Sequence, residues 1–376
     1  MNIGTLKTRQ KRIREGMSRA GVGCLIVTRP ANVTYVTGFL GQDSWAIVLP
    51  KAVILITDSR YSEQAAKECK KCKIVIRKDA MIKTVAGLLL KQSRRAGYAH
   101  LKKWCAQHTL QMRIGIEKST TLTDFEGLKK ELKRPVGADL RVCPKPVANI
   151  IETIRRVKDD GEIAAIKAAA KIAGRALGNA TRRMRAGMTE NELTGILDFE
   201  IRKLGGHIGF ETIVAFGPNA ARPHHRPTDR KLRKNDTVLI DFGVRIRGYN
   251  CDITRCFTTG KTSGLFSRVY NTVSEAQAAA IKMVKAGVKI KDVDAAARMV
   301  LKKYRLLVYG HGTGHGLGLE IHEAPSLSPK TEGVLQAGEV ITIEPGVYLP
   351  GKLGIRIEDD ILVTRNGFII LSEVPK

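Results

Sequence analysis

The 376-residue sequence predicts an α/β domain followed by an α+β domain. Three observations carry this. Short apolar strands alternate with amphipathic helices through the first third of the chain. Pro144 and Pro146, in VCPKPVANI, then punctuate it where charge density drops, which puts a domain boundary between residues 145 and 146. Beyond them, long helices give way to strand pairs joined by glycine-containing turns. The expected domains are 1–145 and 146–376.

Residues 5–20 have the periodicity of an amphipathic helix, followed by the apolar strand Cys24 to Thr28 and a turn-prone Arg29-Pro30-Ala31-Asn32. Strands are predicted at Ala46 to Leu49, Ala52 to Thr57, Lys73 to Arg77 and Ile114 to Glu117, with helices opening at Asp58 and Thr123. In the second half, Asp159 to Arg185 is a long Ala-rich helix, and Thr189-Glu-Asn-Glu192 is the capped start of another. Phe210 to Phe216 reads as a strand, Leu265 to Lys285 and Val293 to Tyr304 as helices, and the chain closes on strands at Val340 to Ile343, Arg356 to Val363 and Phe368 to Ser372.

The net charge is +28, of which residues 1–150 carry +18. The basic residues are dispersed, without an aromatic-interleaved tract or a nucleic-acid module, so a solvated basic surface is expected and nucleic acid is not an expected partner. No apolar run is long enough for a membrane span or a secretory leader, which points to the cytoplasm. Seven cysteines without a framework of spacings read as reduced thiols, and Cys69 and Cys72 form a lone CxxC with no second pair to complete a zinc site. Cys251 and Cys256, flanking Asp252, read as strand residues.

The chemistry begins with TVLIDFGVRIRGYNCDITRCFT, residues 237–258, an alternating hairpin with its bend at Arg245 to Gly248. A turn centred between Ile246 and Arg247 sets Asp241 opposite Asp252; one residue further on, the two become diagonal neighbours. In either register two carboxylates converge and call for a cation. A second hairpin, EPGVYLPGKLGIRIED, has a three-residue turn centred on Gly351 that sets Glu344 opposite Glu358. Isoleucines at 240, 343 and 357 precede three of these acids, placing them in apolar strands where lone charges are costly.

Five of the eight histidines, His224, His225, His311, His315 and His322, lie beside these hairpins in sequence. Three occur in GHGTGHGLGLEIHE, whose glycines exclude a zinc-binding helix. An extended strand would put His311 and His315 on one face and let backbone approach a metal closely. His225 reads as a solvated neighbour of His224, and His100, His108 and His207 as bystanders. One imidazole with four carboxylates suits a pair of hard or borderline divalent cations, which can share a hydroxide and clamp a hydrolytic transition state.

TVLIDFG, NCDITR, GHGTGHGLGLEIHE, ITIEPGVY and GIRIEDD resemble, in order and spacing, the motifs of the metallopeptidase family with the pita-bread fold, M24. ANVTYVTGF and DSRYSEQA resemble the N-terminal domain of its Xaa-Pro aminopeptidase and prolidase branch, so the likeness spans nearly the whole chain. It implies a creatinase/prolidase-like N-terminal domain before a pita-bread catalytic domain. It implies further that Asp241, Asp252, His315, Glu344 and Glu358 hold two divalent ions, manganese first, with cobalt or zinc as alternatives, bridged by Asp252 and Glu358. His224 would bind substrate, His322 the scissile carbonyl and its oxyanion, and Glu344 would be the acid/base; His311 and Arg356 would brace the site from its edge.

The expected substrate is a peptide with proline second, cleaved at the Xaa-Pro bond, and a homodimer is the usual assembly of the proteins resembled. Prolidases of this branch often carry an Arg shortly after the HE of the histidine motif, suited to a dipeptide's carboxylate. Here the comparable residue is Ser326, which favours an aminopeptidase over a dipeptidase. A metal-free binding protein for an acidic partner is the competing class, and intact ligands argue against it.

Overall fold

The computed structural model describes residues 3–95, 113–132, 144–372 and 374, and the chain divides into two compact units, Met1–Arg155 and Arg156–Lys376. His100 and His108 lie outside the described residues.

The first unit is built on a six-stranded mixed sheet. Cys24–Val27 runs parallel to Ile114–Glu117 and antiparallel to Trp45–Val48; Val53–Thr57 pairs with Trp45–Val48 and with Lys73–Ile76. Cys24–Val27 and Val53–Thr57 are buried along their whole length, as strands covered on both faces must be, and therefore read as unbroken apolar runs. Ile26, Ile47, Ile54, Ile114 and Ile116 pack with Val85 and Leu89 of the helix Met81–Arg95 and with Leu128 of the helix Leu122–Leu132.

Two expectations change here. Arg29-Pro30-Ala31-Asn32 begins the helix Pro30–Thr37, with Pro30 in its first turn, where the missing N–H costs nothing. Pro144 and Pro146 lie in Pro144–Val147, a strand at the sheet edge parallel to Ile114–Glu117, so these prolines belong to the first sheet, and the units part at 155/156, ten residues beyond the expected 145/146. An edge strand tolerates prolines because its outer side needs no N–H donors.

In the second unit, capping boxes at Asp159/Glu162 and Thr189/Glu192 open the helices Asp160–Thr181 and Glu190–Lys203. Both bury alanine- and leucine-rich faces against Phe216, Val238, Ile240 and Phe242. The helices Gly264–Met283 and Ile290–Lys303 form the matching layer over Ile341, Ile343, Ile355 and Ile357. Between the layers lie antiparallel sheets, among them Ile253–Thr258/Thr237–Phe242/Ile213–Phe216 and a five-stranded sheet with Val340–Ile343 and Asp359–Val363 adjacent. This is the α+β arrangement expected of the second half. No helix among the described residues is long and apolar enough to cross a membrane.

Candidate metal centre

The first hairpin turns on Arg247 and Gly248, both at positive φ, which places the bend one residue later than the direct-opposition register requires. Asp241 therefore faces Thr254, and Asp252, just before the strand Ile253–Thr258, is its diagonal neighbour. The second hairpin has the expected register. Gly346 pairs with Arg356 and Leu349 with Leu353 about Gly351, and Ile343 pairs with Asp359 in the same register, so Glu344 and Glu358 stand opposite each other where one ladder ends and the next begins. Such a break frees both acids from the surrounding strand pairing to face the cluster.

His315 lies between these pairs. The strand it occupies, Gly314–Gly316, is far shorter than an extended His311–His315 segment would need; His311 sits in a bend outside it, and a register shift follows His315. Close packing explains the glycines: a Cβ on Gly314 would meet the Thr342 carbonyl oxygen at 1.9 Å, and one on Gly316 that of Ala324 at 2.2 Å. His315 Nδ1 donates to the Gly316 carbonyl at 3.0 Å. That fixes the tautomer and leaves the Nε2 lone pair directed at Asp252 Oδ2, 3.6 Å away, and Glu344 Oε1, 3.5 Å away.

Ligand atoms of Asp252, His315 and Glu358 all lie within 4.8 Å of one another. Acceptors face acceptors, and the buried Oδ1 atoms of Asp241 and Asp252 have no hydrogen-bond partner among the described residues. Burial raises the Asp252 and Glu358 carboxyls well above their usual range, with repulsion from neighbouring acids adding to it, and burial pushes Glu344 up to about 7. Burial holds His315 down at about 4, so its imidazole is neutral at pH 7. A neutral imidazole beside crowded carboxylates with orphaned oxygens is what a divalent cation satisfies, and these residues fit one.

Hydrogen bonds behind the cluster fix its acids. Thr254 Oγ1 donates to Glu358 at 2.6 Å and accepts from Arg356 Nε at 3.1 Å. Arg356 also donates to Asp241 Oδ2 at 2.5 Å and to the Tyr348 hydroxyl at 2.8 Å. It is buried among these partners and not at the site's edge, because the alternation of the strand Leu353–Arg356 turns it inward. The Tyr348 hydroxyl donates in turn to His311 Nε2 at 3.0 Å, whose Nδ1 is satisfied by the Gly312 carbonyl. Arg255 donates to the Glu358 carbonyl and pairs with Asp359, which also accepts from Gln277.

Thr254 and Arg255 lie within NCDITR and Tyr348 within ITIEPGVY, but the sequence alone assigns them no role, since their roles depend on strand register.

The remaining histidines separate by burial. His322 is exposed, its ring 4.3 Å from that of His315, and His224 is exposed as well. His225 is not solvated: it is buried, with Nε2 2.9 Å from Glu190 Oε2. Glu190 also accepts from Phe216 N, Asn219, and the amide and hydroxyl of Thr228, which pins the loop that carries His224. His207 lies in the strand His207–Ile208, paired with Arg245. Cys69, Cys72, Cys251 and Cys256 are free thiols; Cys256 lies within the strand Ile253–Thr258, and Cys251 just precedes it.

The α+β domain thus holds a buried carboxylate and imidazole cluster suited to divalent cations. The model of metallopeptidase family M24 matches residues 164–365, and that of the creatinase/prolidase N-terminal domain matches residues 9–157. An uncharacterized peptidase of Bacillus subtilis is 32% identical over 370 residues, covering 97% of this chain and 98% of the relative. The chain belongs to metallopeptidase family M24. Among solved structures, an Xaa-Pro dipeptidase from Bacillus anthracis superposes with a TM-score of 0.87 at 33% identity, covering 99% of this chain and 98% of that one. An X-Pro aminopeptidase from Thermotoga maritima gives 0.83 at 32%, covering 96% and 98%, and a prolidase from Pyrococcus furiosus 0.83 at 30%, covering 97% and 100%. The fold is the creatinase/prolidase N-terminal domain followed by the pita-bread catalytic domain.

Proposed function

We propose that the protein is an Xaa-Pro aminopeptidase that removes the first residue from peptides with proline second, as a cytoplasmic homodimer loaded with manganese. One observation carries the choice of aminopeptidase. Ser326 is exposed and lies directly across the strand pair from His315, so the residue opposite this ligand carries a neutral hydroxyl. A dipeptide's carboxylate, held beside the scissile bond, calls for a fixed cation, which a serine does not supply. A longer peptide has an amide there and needs none.

Asp241, Asp252, His315, Glu344 and Glu358 would hold two divalent ions, and the oxygen-rich set favours manganese. Bound ions would polarise the scissile carbonyl and make water nucleophilic near neutral pH. The chain's own residues supply the rest. Glu344, its carboxyl near 7 when no cation is bound, takes and returns a proton as acid/base. His322, exposed beside His315, donates to the developing oxyanion, and His224 orients the peptide from its pinned loop. Arg356 holds Asp241 and Tyr348, and Tyr348 holds His311.

The test compares Xaa-Pro-Xaa tripeptides with Xaa-Pro dipeptides on manganese-loaded protein whose metal content is measured. Release of the first residue from tripeptides is expected. The names of the Bacillus anthracis and Pyrococcus furiosus structures favour a second reading, a dipeptidase, which turnover of dipeptides alone would establish. No release from either substrate would overturn both.

A further inference from the structure

Against the Gly-rich loop, the helix Ile290–Lys303 presents an i,i+4 ion pair, Arg298 Nε to Asp294 Oδ2 at 2.7 Å. Its remaining polar atoms go to the loop. Arg298 donates to the Tyr309 carbonyl at 2.9 Å and to the His311 carbonyl at 2.6 Å. Asp294 Oδ1 accepts from the Thr313 hydroxyl at 2.7 Å and its amide at 3.3 Å, and Tyr309 donates its hydroxyl to Thr313 Oγ1 at 2.5 Å. The Thr313 carbonyl in turn accepts from Glu344 N at 2.8 Å. The Arg298 guanidinium lies 4.4 Å above the Tyr309 ring, and that ring stacks on His311 at 4.7 Å.

The loop cannot hold this shape unaided. A Cβ on Gly312 would meet the Leu327 carbonyl oxygen at 2.7 Å, and Gly314 is more crowded still, so stiffer residues are sterically barred and glycine's freedom must be restrained from outside. The Asp294 side chain is 1% exposed and that of Arg298 16%. Burying such a pair returns little net stability, whereas fixed forks of hydrogen bonds set position.

We infer that Asp294 and Arg298 are positioning residues of the active site: they clamp backbone 309–313 so that His311 meets Tyr348 and Glu344 enters the metal cluster at the required place. The inference rests on the peptidase reading for its catalytic consequence only.

The test uses the full metal-loaded chain carrying R298A, R298K or D294N, with hydrogen exchange of peptides covering 305–316 and 290–303, metal content, and steady-state kinetics on an Xaa-Pro-Xaa peptide. In R298A, loop exchange should accelerate while the helix stays protected and metal content holds, and kcat should fall on the order of 10- to 100-fold with little change in KM. R298K should recover little, since one ammonium cannot form the fork, whereas added guanidinium ion should restore part of kcat to R298A. Unchanged loop exchange in R298A, or faster exchange with wild-type kcat, overturns the inference; if R298A does not fold, the same two criteria apply to D294N. Should the wild type hydrolyse no Xaa-Pro peptide, the functional reading fails, while loop exchange still decides whether the clamp exists.

Discussion

Removing the divalent ions should leave Glu344 as a group whose contribution to stability falls as pH rises. In the metal-free fold, burial raises the Glu344 carboxyl from 4.5 to about 7, so between these values the folded chain keeps a proton that the unfolded chain releases. Stability from this group is fully present below pH 4.5 and lost as pH rises through 7. At about 1.4 kcal/mol per tenfold change in proton affinity, the loss is about 3 kcal/mol. The side chain keeps 17% of its surface, so solvent screening reduces the working figure to about 2 kcal/mol. Asp252 and Glu358 are raised in the same direction and add to it. For a unit of this size, 2 kcal/mol corresponds to a Tm drop of about 4–8 °C. His311 and His315, held down at about 4 by burial, act in the opposite sense, adding stability as pH rises to their usual 6.5, so the Glu344 part is read as the difference from a Glu344→Gln variant; Glu190, shifted down, titrates below this window. With manganese bound the carboxylates are ionised and paired, and ion at 100-fold over its Kd adds about 2.7 kcal/mol that grows as protons stop competing. The assay is Tm between pH 5 and 7.5, with and without chelator, for the wild type and Glu344→Gln. A metal-free Tm difference, wild type minus Glu344→Gln, that stays flat or rises across that range would refute the reasoning, because this acid would then not be crowded without a cation.

Two substitutions probe the site's surroundings. Ser326→Arg should lower KM for Xaa-Pro dipeptides about tenfold or more, the worth of a charge-assisted hydrogen bond, and leave tripeptide turnover lower; unchanged dipeptide KM would dissociate residue 326 from the substrate carboxylate. Glu190→Ala strips five hydrogen bonds from one buried carboxylate and leaves His225 buried alone, so unfolding free energy should fall about 3 kcal/mol or more. Denaturant midpoints check this, and a change under 1 kcal/mol would show the loop to be held elsewhere.

Asp241, Asp252, Glu344 and Glu358 announce themselves in the sequence because charges inside apolar strands at hairpin spacing have few purposes, and turn geometry fixes which residues pair. The capping box at Thr189 and the second hairpin's register are equally local, and the structure has them as the sequence predicts. The tertiary structure alone decided the rest. Whether Asp241 faces Asp252 squarely or diagonally depended on a one-residue choice between two permissible turns. His224 and His225 differ in nothing local; Glu190, 35 residues away in sequence, buries one and leaves the other exposed. Pro144 and Pro146 look like a linker until a parallel neighbour makes them an edge strand. Arg298 reaches His311 across a turn of chain that no periodicity describes. Sequence patterns record the burial and spacing of single elements, whereas partners brought together by packing are specified only when the whole chain has folded.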